Sequence, residues 1–160
     1  MKNSNSNMLG RRCLHYEIRE IMPQDILTGG FLETIENLAV HVADVRCALE
    51  VLREIESNPL HKVFVAVQKN LVLGSITLLM EPKFIYSGGR VGHIEDVVVR
   101  RDQMKRGVGG SLVKFALDVA RRDFHCTKVI LDCSNENKKF YEIFGFSHKD
   151  SCMTILWKQK

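Results

Sequence analysis

No uninterrupted apolar run in this chain of 160 residues approaches the ~18 residues that a membrane span requires. The N-terminus also lacks the apolar core of a signal peptide. Cys13, Cys47, Cys126, Cys133 and Cys152 are odd in number and widely scattered, with neither a C-x-x-C pair nor Cys/His ligand spacing. That argues against a zinc site and a disulfide framework, and it suits reduced thiols in a cytoplasmic compartment. Basic residues alternate with acidic ones, and no Lys/Arg-rich face interleaved with aromatics occurs, so nucleic-acid binding finds no support. A formal charge of +4 and a pI of about 8.8 mildly favour small anions instead.

What the chain has is alternation of apolar patterns. Residues 1–12 are polar and Asn/Ser-rich, a tail expected to be disordered, which leaves 13–160 as one domain. YEIREI (16–21) alternates as a strand, and Pro23 suits the first turn of a helix. Gly29-Gly30 interrupts before helical spacing resumes over 31–38. Asp44 caps a helix over 45–56, with Val45, Ala48, Leu49, Leu52 and Ile55 on one face, and Asn58-Pro59 stops it. Strands over 62–68 and 71–80 flank Lys69-Asn70, a hairpin turn, and Ser87-Gly88-Gly89 turns the chain into a strand over 91–100. A helix opening on glycines leads to a buried strand over 128–132. A short helix over 135–144, capped by Gly145, and a closing strand over 147–157 complete an α/β order of β-α-α-β-β-β-α-β-α-β.

The stretch HIEDVVVRRDQMKRGVGGSL (93–112) organises the rest. Val97, Val98 and Val99 are apolar on both faces, as in a central strand. Gly107, Val108, Gly109 and Gly110 then open a helix, an arrangement that offers orphan N–H groups and a partial positive charge to an anion. No Lys-Ser or Lys-Thr follows the glycines, so this is not a P-loop. Leu112 stands where a dinucleotide fingerprint needs its third glycine.

Met104-Lys105-Arg106-Gly107-Val108-Gly109 resembles the cofactor loop of the GNAT N-acetyltransferase superfamily, with Met104 where Arg or Gln is usual. More narrowly, Lys83-Phe84-Ile85-Tyr86, Glu95-Asp96-Val97-Val98-Val99, the run from Cys126-Thr127-Lys128 to Leu131-Asp132-Cys133, and Asn137-x-x-Phe140-Tyr141 resemble the glucosamine 6-phosphate N-acetyltransferase branch, over about residues 16–157. The resemblance implies a GNAT fold: a mixed, mostly antiparallel central sheet flanked by helices. It also implies acetyl-CoA as co-substrate with no metal, glucosamine 6-phosphate as acceptor, and a homodimer with shared sites. Val97, Val98, Val99, residues 104–110, Asn137, Phe140 and Tyr141 would then hold the cofactor. Residues 83–86, Glu95, Asp96, Val97, Thr127, Lys128, Asp132 and Lys158 would hold the substrate.

The chemistry suits these residues. A 2-amino sugar has an amine pKa near ~8, so deprotonating it near pH 7 costs on the order of 1 kcal/mol, against ~4–5 for lysine. Glu95, Asp96 or Asp132 acting through water is therefore base enough. Tyr141 taken alone reads as a core aromatic; with Asn137 and Leu131-Asp132 in register it reads as the donor to the leaving thiolate. Lys83 and Lys128 read either as surface lysines or as phosphate contacts. His93 has no carboxylate at ligand spacing and reads as structural or solvent-facing. Tyr86 (usually His), Leu38-Ala39-Val40 (usually with a Thr) and Leu156 (usually Arg) depart from the branch pattern, with Lys158 on the same strand face as Leu156. In the closing strand, Met153, Ile155 and Trp157 share one face and Cys152, Thr154 and Leu156 the other, so both faces are largely apolar, which an edge strand should not be without a second copy to cover it.

Overall fold

The computed structural model describes residues 15–38 and 42–155. The 1–12 tail, Ala39, Val40, Leu156, Trp157 and Lys158 lie outside them.

Strand β1 (Glu17–Glu20) is followed by two short helices, α1 (Pro23–Leu27) and α2 (Phe31–Ile35), and by α3 (Val45–Ser57). Strands β2 (His61–Gln68), β3 (Leu71–Pro82) and β4 (Arg90–Val99) come next. Helix α4 (Val108–Arg122), strand β5 (Cys126–Leu131) and helix α5 (Lys138–Glu142) complete the described order. The strands form one sheet in the order β1-β2-β3-β4-β5. All neighbours are antiparallel except β4 and β5, which are parallel. A parallel pair needs a long crossover, and α4 supplies it.

Local chemistry accounts for the turns. Lys69 and Asn70 both take positive φ, 49° and 64°, the two-residue hairpin geometry whose twist matches the strands it joins. Asp44 accepts from the Cys47 amide at 2.8 Å and starts α3. Asp25 lies in the first turn of α1, where its carboxylate accepts from the Met22 amide at 2.8 Å. The same carboxylate takes the Arg19 guanidinium of β1 in a two-pronged bond of 2.7 and 2.8 Å while only 3% exposed. That fork ties α1 to the sheet edge, and the Asp25 hydrogen bond raises the Arg19 pKa.

Helices cover both faces of the sheet, which is why HKVFVAVQ is apolar on successive residues rather than alternately. Phe64, Leu78, Ile94, Leu112, Val113 and Ala116 pack on the α4 face. Ile21, Ile26, Leu52, Val63, Val65 and Val72 pack on the α1–α3 face. Each fully buried aliphatic side chain is worth about 1.5–3 kcal/mol, so these two layers supply most of the driving force.

Three expectations need correction. The helical spacing over 31–38 gives a helix only to Ile35, after which the chain continues as a turn. The helix over 135–144 is a turn of 3-10 helix followed by α5, though Gly145 does end it at φ +90°. The closing strand over 147–157 does not form among the described residues: 147–155 carries no strand, with Met153 94% and Ile155 74% exposed. Alternation along a segment selects faces, but only ladder pairing makes a strand. Among the described residues, β5 has no partner on its outer edge.

Candidate functional site

The site grows from the way β4 parts from its two neighbours. On the β5 side, parallel pairing runs from Arg90↔Cys126 to Ile94↔Leu131 and stops, because β5 ends there while β4 continues to Val99. On the β3 side, Thr77 faces Glu95 and Ser75 faces Val98, so Asp96 and Val97 together oppose Ile76. This is a β-bulge, and Asp96 takes φ +49° to make it. A wedge-shaped gap therefore opens beside residues 95–99.

Strand alternation decides which amides face that gap. The Arg100 amide donates to Leu73 of β3 at 2.9 Å, so the Val99 carbonyl points the other way. A residue's N–H and C=O share one edge, so the Val99 amide faces the gap, and the Val97 amide two residues earlier faces it too. The Val98 carbonyl instead turns toward β3, where a Cβ on Gly74 would come within 2.7 Å of it. Of the three valines expected to hold cofactor through their backbone, Val97 and Val99 are the ones presented.

At its far end the gap meets the start of α4. Gly107 precedes the helix at φ +88°, a left-handed conformation that costs glycine little. The Ser111 amide is the first bonded inside the helix, to the Gly107 carbonyl at 3.0 Å, which leaves the amides of Val108, Gly109 and Gly110 as helix-terminal orphans. No atom lies within 4 Å of where a Gly107 Cβ would sit, so the turn is open. Gly109 and Gly110 have a different reason to be small. A Cβ there would stand 3.2 Å from Val99 and 3.3 Å from Phe144, so these glycines let α4 press against β4 and α5. Met104 is exposed on the same loop, and Lys105 is exposed at φ +60°. The Arg106 guanidinium is held by Gln103 at 2.8 Å.

Tyr141 stands on α5 beside this cradle, 9% exposed, with edge-on ring contacts to Phe140 at 4.9 Å and Phe146 at 6.0 Å. Burial, and secondarily the nearby Cys133, push its phenol pKa up, so the hydroxyl stays protonated. Phe140 packs toward Gly109, and Asn137 is exposed where the 3-10 turn meets α5. Across the gap Glu95 lies next in register to Asp132. Partial burial, then the charges of Asp132 and Asp96, raise the Glu95 pKa. Asp132 raises the pKa of the Cys152 thiol, so the segment after α5 returns near this point.

The residues expected on the sugar phosphate gather elsewhere. Lys83, Phe84, Ile85 and Tyr86 form the loop between β3 and β4, with Phe84, Ile85 and Tyr86 exposed. The Lys128 ammonium lies 5.6 Å from the centre of the Tyr86 ring, and the Thr127 hydroxyl donates to the Arg90 carbonyl at 3.0 Å. Lys128 pairs with Val91, four residues before Glu95, which is about 13 Å along the strand. One subunit thus has a gap cluster and a separate loop cluster. Lys83 bonds Glu81 at 2.5 Å, and Glu81 also meets His93 at 3.0 Å. His93 therefore has a carboxylate partner, contrary to the sequence reading, because its neighbour lies on the adjacent strand.

Asn37 was not singled out in the sequence. Its side-chain amide reaches the Val99 carbonyl at 3.3 Å, and its oxygen takes the Arg101 guanidinium at 2.6 Å, so it joins the end of α2 to the loop between β4 and α4. A contact across 62 residues leaves no local signal.

The family model described as "Acetyltransferase (GNAT) family" matches residues 31–146, a span that contains the bulge, the gap, the glycine cradle and Tyr141. The chain belongs to the GNAT acetyltransferase family. Acetyl-CoA is that family's acyl donor. Glucosamine 6-phosphate N-acetyltransferase 1 of Oryza sativa subsp. japonica is 33% identical over 144 residues, covering 88% of this chain and 86% of that one. Glucosamine 6-phosphate N-acetyltransferase of Trypanosoma brucei brucei is 41% identical over 94 residues, covering 59% and 63%. The crystal structure of glucosamine-6-phosphate N-acetyltransferase from Arabidopsis thaliana superposes with a TM-score of 0.84 at 31% identity, over 91% of this chain and 100% of that one. The chain spans between 52% and 63% of the length of the curated relatives it matches at 39–44% identity.

Proposed function

We propose that the chain transfers the acetyl group of acetyl-CoA to the 2-amino group of D-glucosamine 6-phosphate. The products are N-acetylglucosamine 6-phosphate and CoA, on the way to UDP-N-acetylglucosamine. The setting is the cytoplasm, and the working form is a homodimer with shared sites. The observation that carries this reading is the gap itself: unpaired β4 amides, an open glycine-capped helix start and a protonated tyrosine converge on one crevice. The amino-sugar names of the relatives and the KFIY and GHIEDVVV stretches support the acceptor.

Acetyl-CoA supplies an activated acetyl group as a thioester. The Val97 and Val99 amides offer hydrogen bonds to its carbonyl oxygen, where negative charge develops as the sugar nitrogen bonds to the carbonyl carbon. The amides at 108–110 face the pyrophosphate, aided by the positive end of α4. Glu95, its basicity raised by partial burial and then by its carboxylate neighbours, accepts the proton leaving the amine through a water. Tyr141 donates to sulfur as the C–S bond breaks. Because the amine is weakly basic, a raised carboxylate suffices and no stronger base is required.

The separation of the loop cluster from the gap supports the shared site. Lys83, Tyr86 and Lys128, with Lys158, would then serve the phosphate of sugar bound at the neighbouring subunit's gap. A thiol-release assay with acetyl-CoA and glucosamine 6-phosphate, glucosamine or a lysine peptide tests the assignment. Turnover should follow that order, and equal rates with the lysine peptide would remove the amino-sugar reading.

A further inference from the structure

Among the described residues, the outer edge of β4 has no strand beside it beyond Ile94, so no ladder fixes the peptide groups that face the gap. The bulge at Asp96 and Val97 loosens the inner edge too, and pairing with β3 resumes only at Val98. One side chain meets the open edge. The Asn37 Nδ2 group donates to the Val99 carbonyl at 3.3 Å, and the Asn37 Oδ1 accepts from the Arg101 Nε at 2.6 Å. The Val99 carbonyl and amide lie on the same edge of the strand, so Asn37 grips the backbone beside the amide that faces the gap. Asn37 itself has a firm base. The hydroxyl of the fully buried Thr34 bonds the Gly30 carbonyl at 2.8 Å and lies 3.3 Å from the Val72 carbonyl. The Val72 amide in turn donates to the Gly29 carbonyl at 2.8 Å. These contacts seat α2 on β3, and from its end Asn37 bridges the last residue of β4 and the loop that follows.

Electrostatics gives the bridge a consequence. A carbonyl oxygen facing the gap puts negative partial charge where the thioester oxygen gains negative charge, so left bare it opposes the reaction. Donation by Asn37 offsets that charge and fixes the peptide plane. Asparagine suits the task because one planar amide carries a donor for the carbonyl and an acceptor for the guanidinium, whereas an ionised aspartate only accepts. We propose that Asn37 is a positioning residue for acyl transfer, acting through Val99 to aim its amide at the thioester carbonyl oxygen. The inference rests on the gap being the acyl-transfer centre.

The test joins kinetics to a spectroscopic readout. In Asn37→Ala, kcat should fall about tenfold while KM for acetyl-CoA and for glucosamine 6-phosphate stays within about threefold. Asn37→Asp keeps the size and the Arg101 pair but turns an anion toward the Val99 carbonyl, and should fall at least as far. Arg101→Ala leaves the donor to Val99 in place and removes only an exposed bond, so its kcat should stay within about twofold of wild type. Acetyl-CoA carrying ¹³C at the thioester carbonyl reports the polarisation directly. Bound to wild type, its carbonyl resonance should lie downfield of the free position, and in Asn37→Ala it should return toward that position. Should Asn37→Ala fail to fold, Asn37→Asp carries both readouts. Unchanged kcat overturns the inference, as does a bound resonance that is the same in wild type and variant. A lowered melting temperature with both readouts unchanged makes Asn37 structural only. A rise in KM alone also overturns it. If wild type turns over no acceptor, the amino-sugar reading fails and the resonance comparison still decides the role of Asn37. If wild type binds no acetyl-CoA, both fall.

Discussion

At Tyr141 a packing role and the proposed donor role meet in one side chain, and the hydroxyl separates them. The ring is packed between Phe140 and Phe146, so Tyr141→Phe keeps the packing and removes only the donor. Turnover should fall 10²–10³-fold, the ~2.7–4 kcal/mol that one donor to developing charge is worth, while the acetyl-CoA dissociation constant stays within a few-fold. Normal turnover with a lowered melting temperature would make it a core aromatic only. Glu95 gives a second test, through stability. Its folded pKa lies above the unfolded value, so the folded state holds the proton more tightly. Its contribution is fully present below the unfolded pKa near ~4.3 and is lost as pH rises through the folded pKa. Glu95→Gln should therefore gain melting temperature relative to wild type between pH 4 and pH 7, and lose turnover. A pH-independent difference in melting temperature would refute the raised pKa. These two residues were legible in the sequence because their motifs are local. The Glu81 partner of His93 and the two contacts of Asn37 were not, because adjacent strands and a distant helix supply them.

Among the elements, α4 carries both the core and the cradle. Leu112 is fully buried beneath it, and Leu112→Ala should cost about 2–5 kcal/mol in denaturant unfolding. Gly109 joins the two roles, since a side chain there meets Val99 before it meets any ligand. Gly109→Val should lower stability by roughly 1–3 kcal/mol, the usual range for overpacking, and weaken acetyl-CoA binding in the same protein. A stable variant with unchanged calorimetric affinity would show that α4 need not sit close to β4. The glycine turn, the capped α3 and the hairpin at 69–70 were readable because each rests on one or two residues with special backbone needs. The bulge at Asp96 was not, because nothing in a run such as EDVVV marks where two residues will oppose one.

For the whole molecule, the segment over 147–155 is what the sequence pattern alone could not resolve. Its end is apolar on both faces, as in a covered strand, yet among the described residues it pairs with nothing, and β5 keeps an open edge. Exposed Phe84, Ile85, Ile130, Met153 and Ile155 leave apolar surface that a second copy would cover. Sedimentation should give a dimer at micromolar concentration. Lys158→Ala mixed with Tyr141→Phe should recover activity that neither variant has alone, since one hybrid site keeps both groups; a fully active monomer would contradict sharing. One reaction at one crevice is the central claim, and its direct measurement is kcat/KM for acetyl-CoA-dependent thiol release with glucosamine 6-phosphate. It should exceed that with glucosamine and with a lysine peptide by at least tenfold and fall 10²–10³-fold in Tyr141→Phe. Thiol release no faster with glucosamine 6-phosphate than with no acceptor would contradict it.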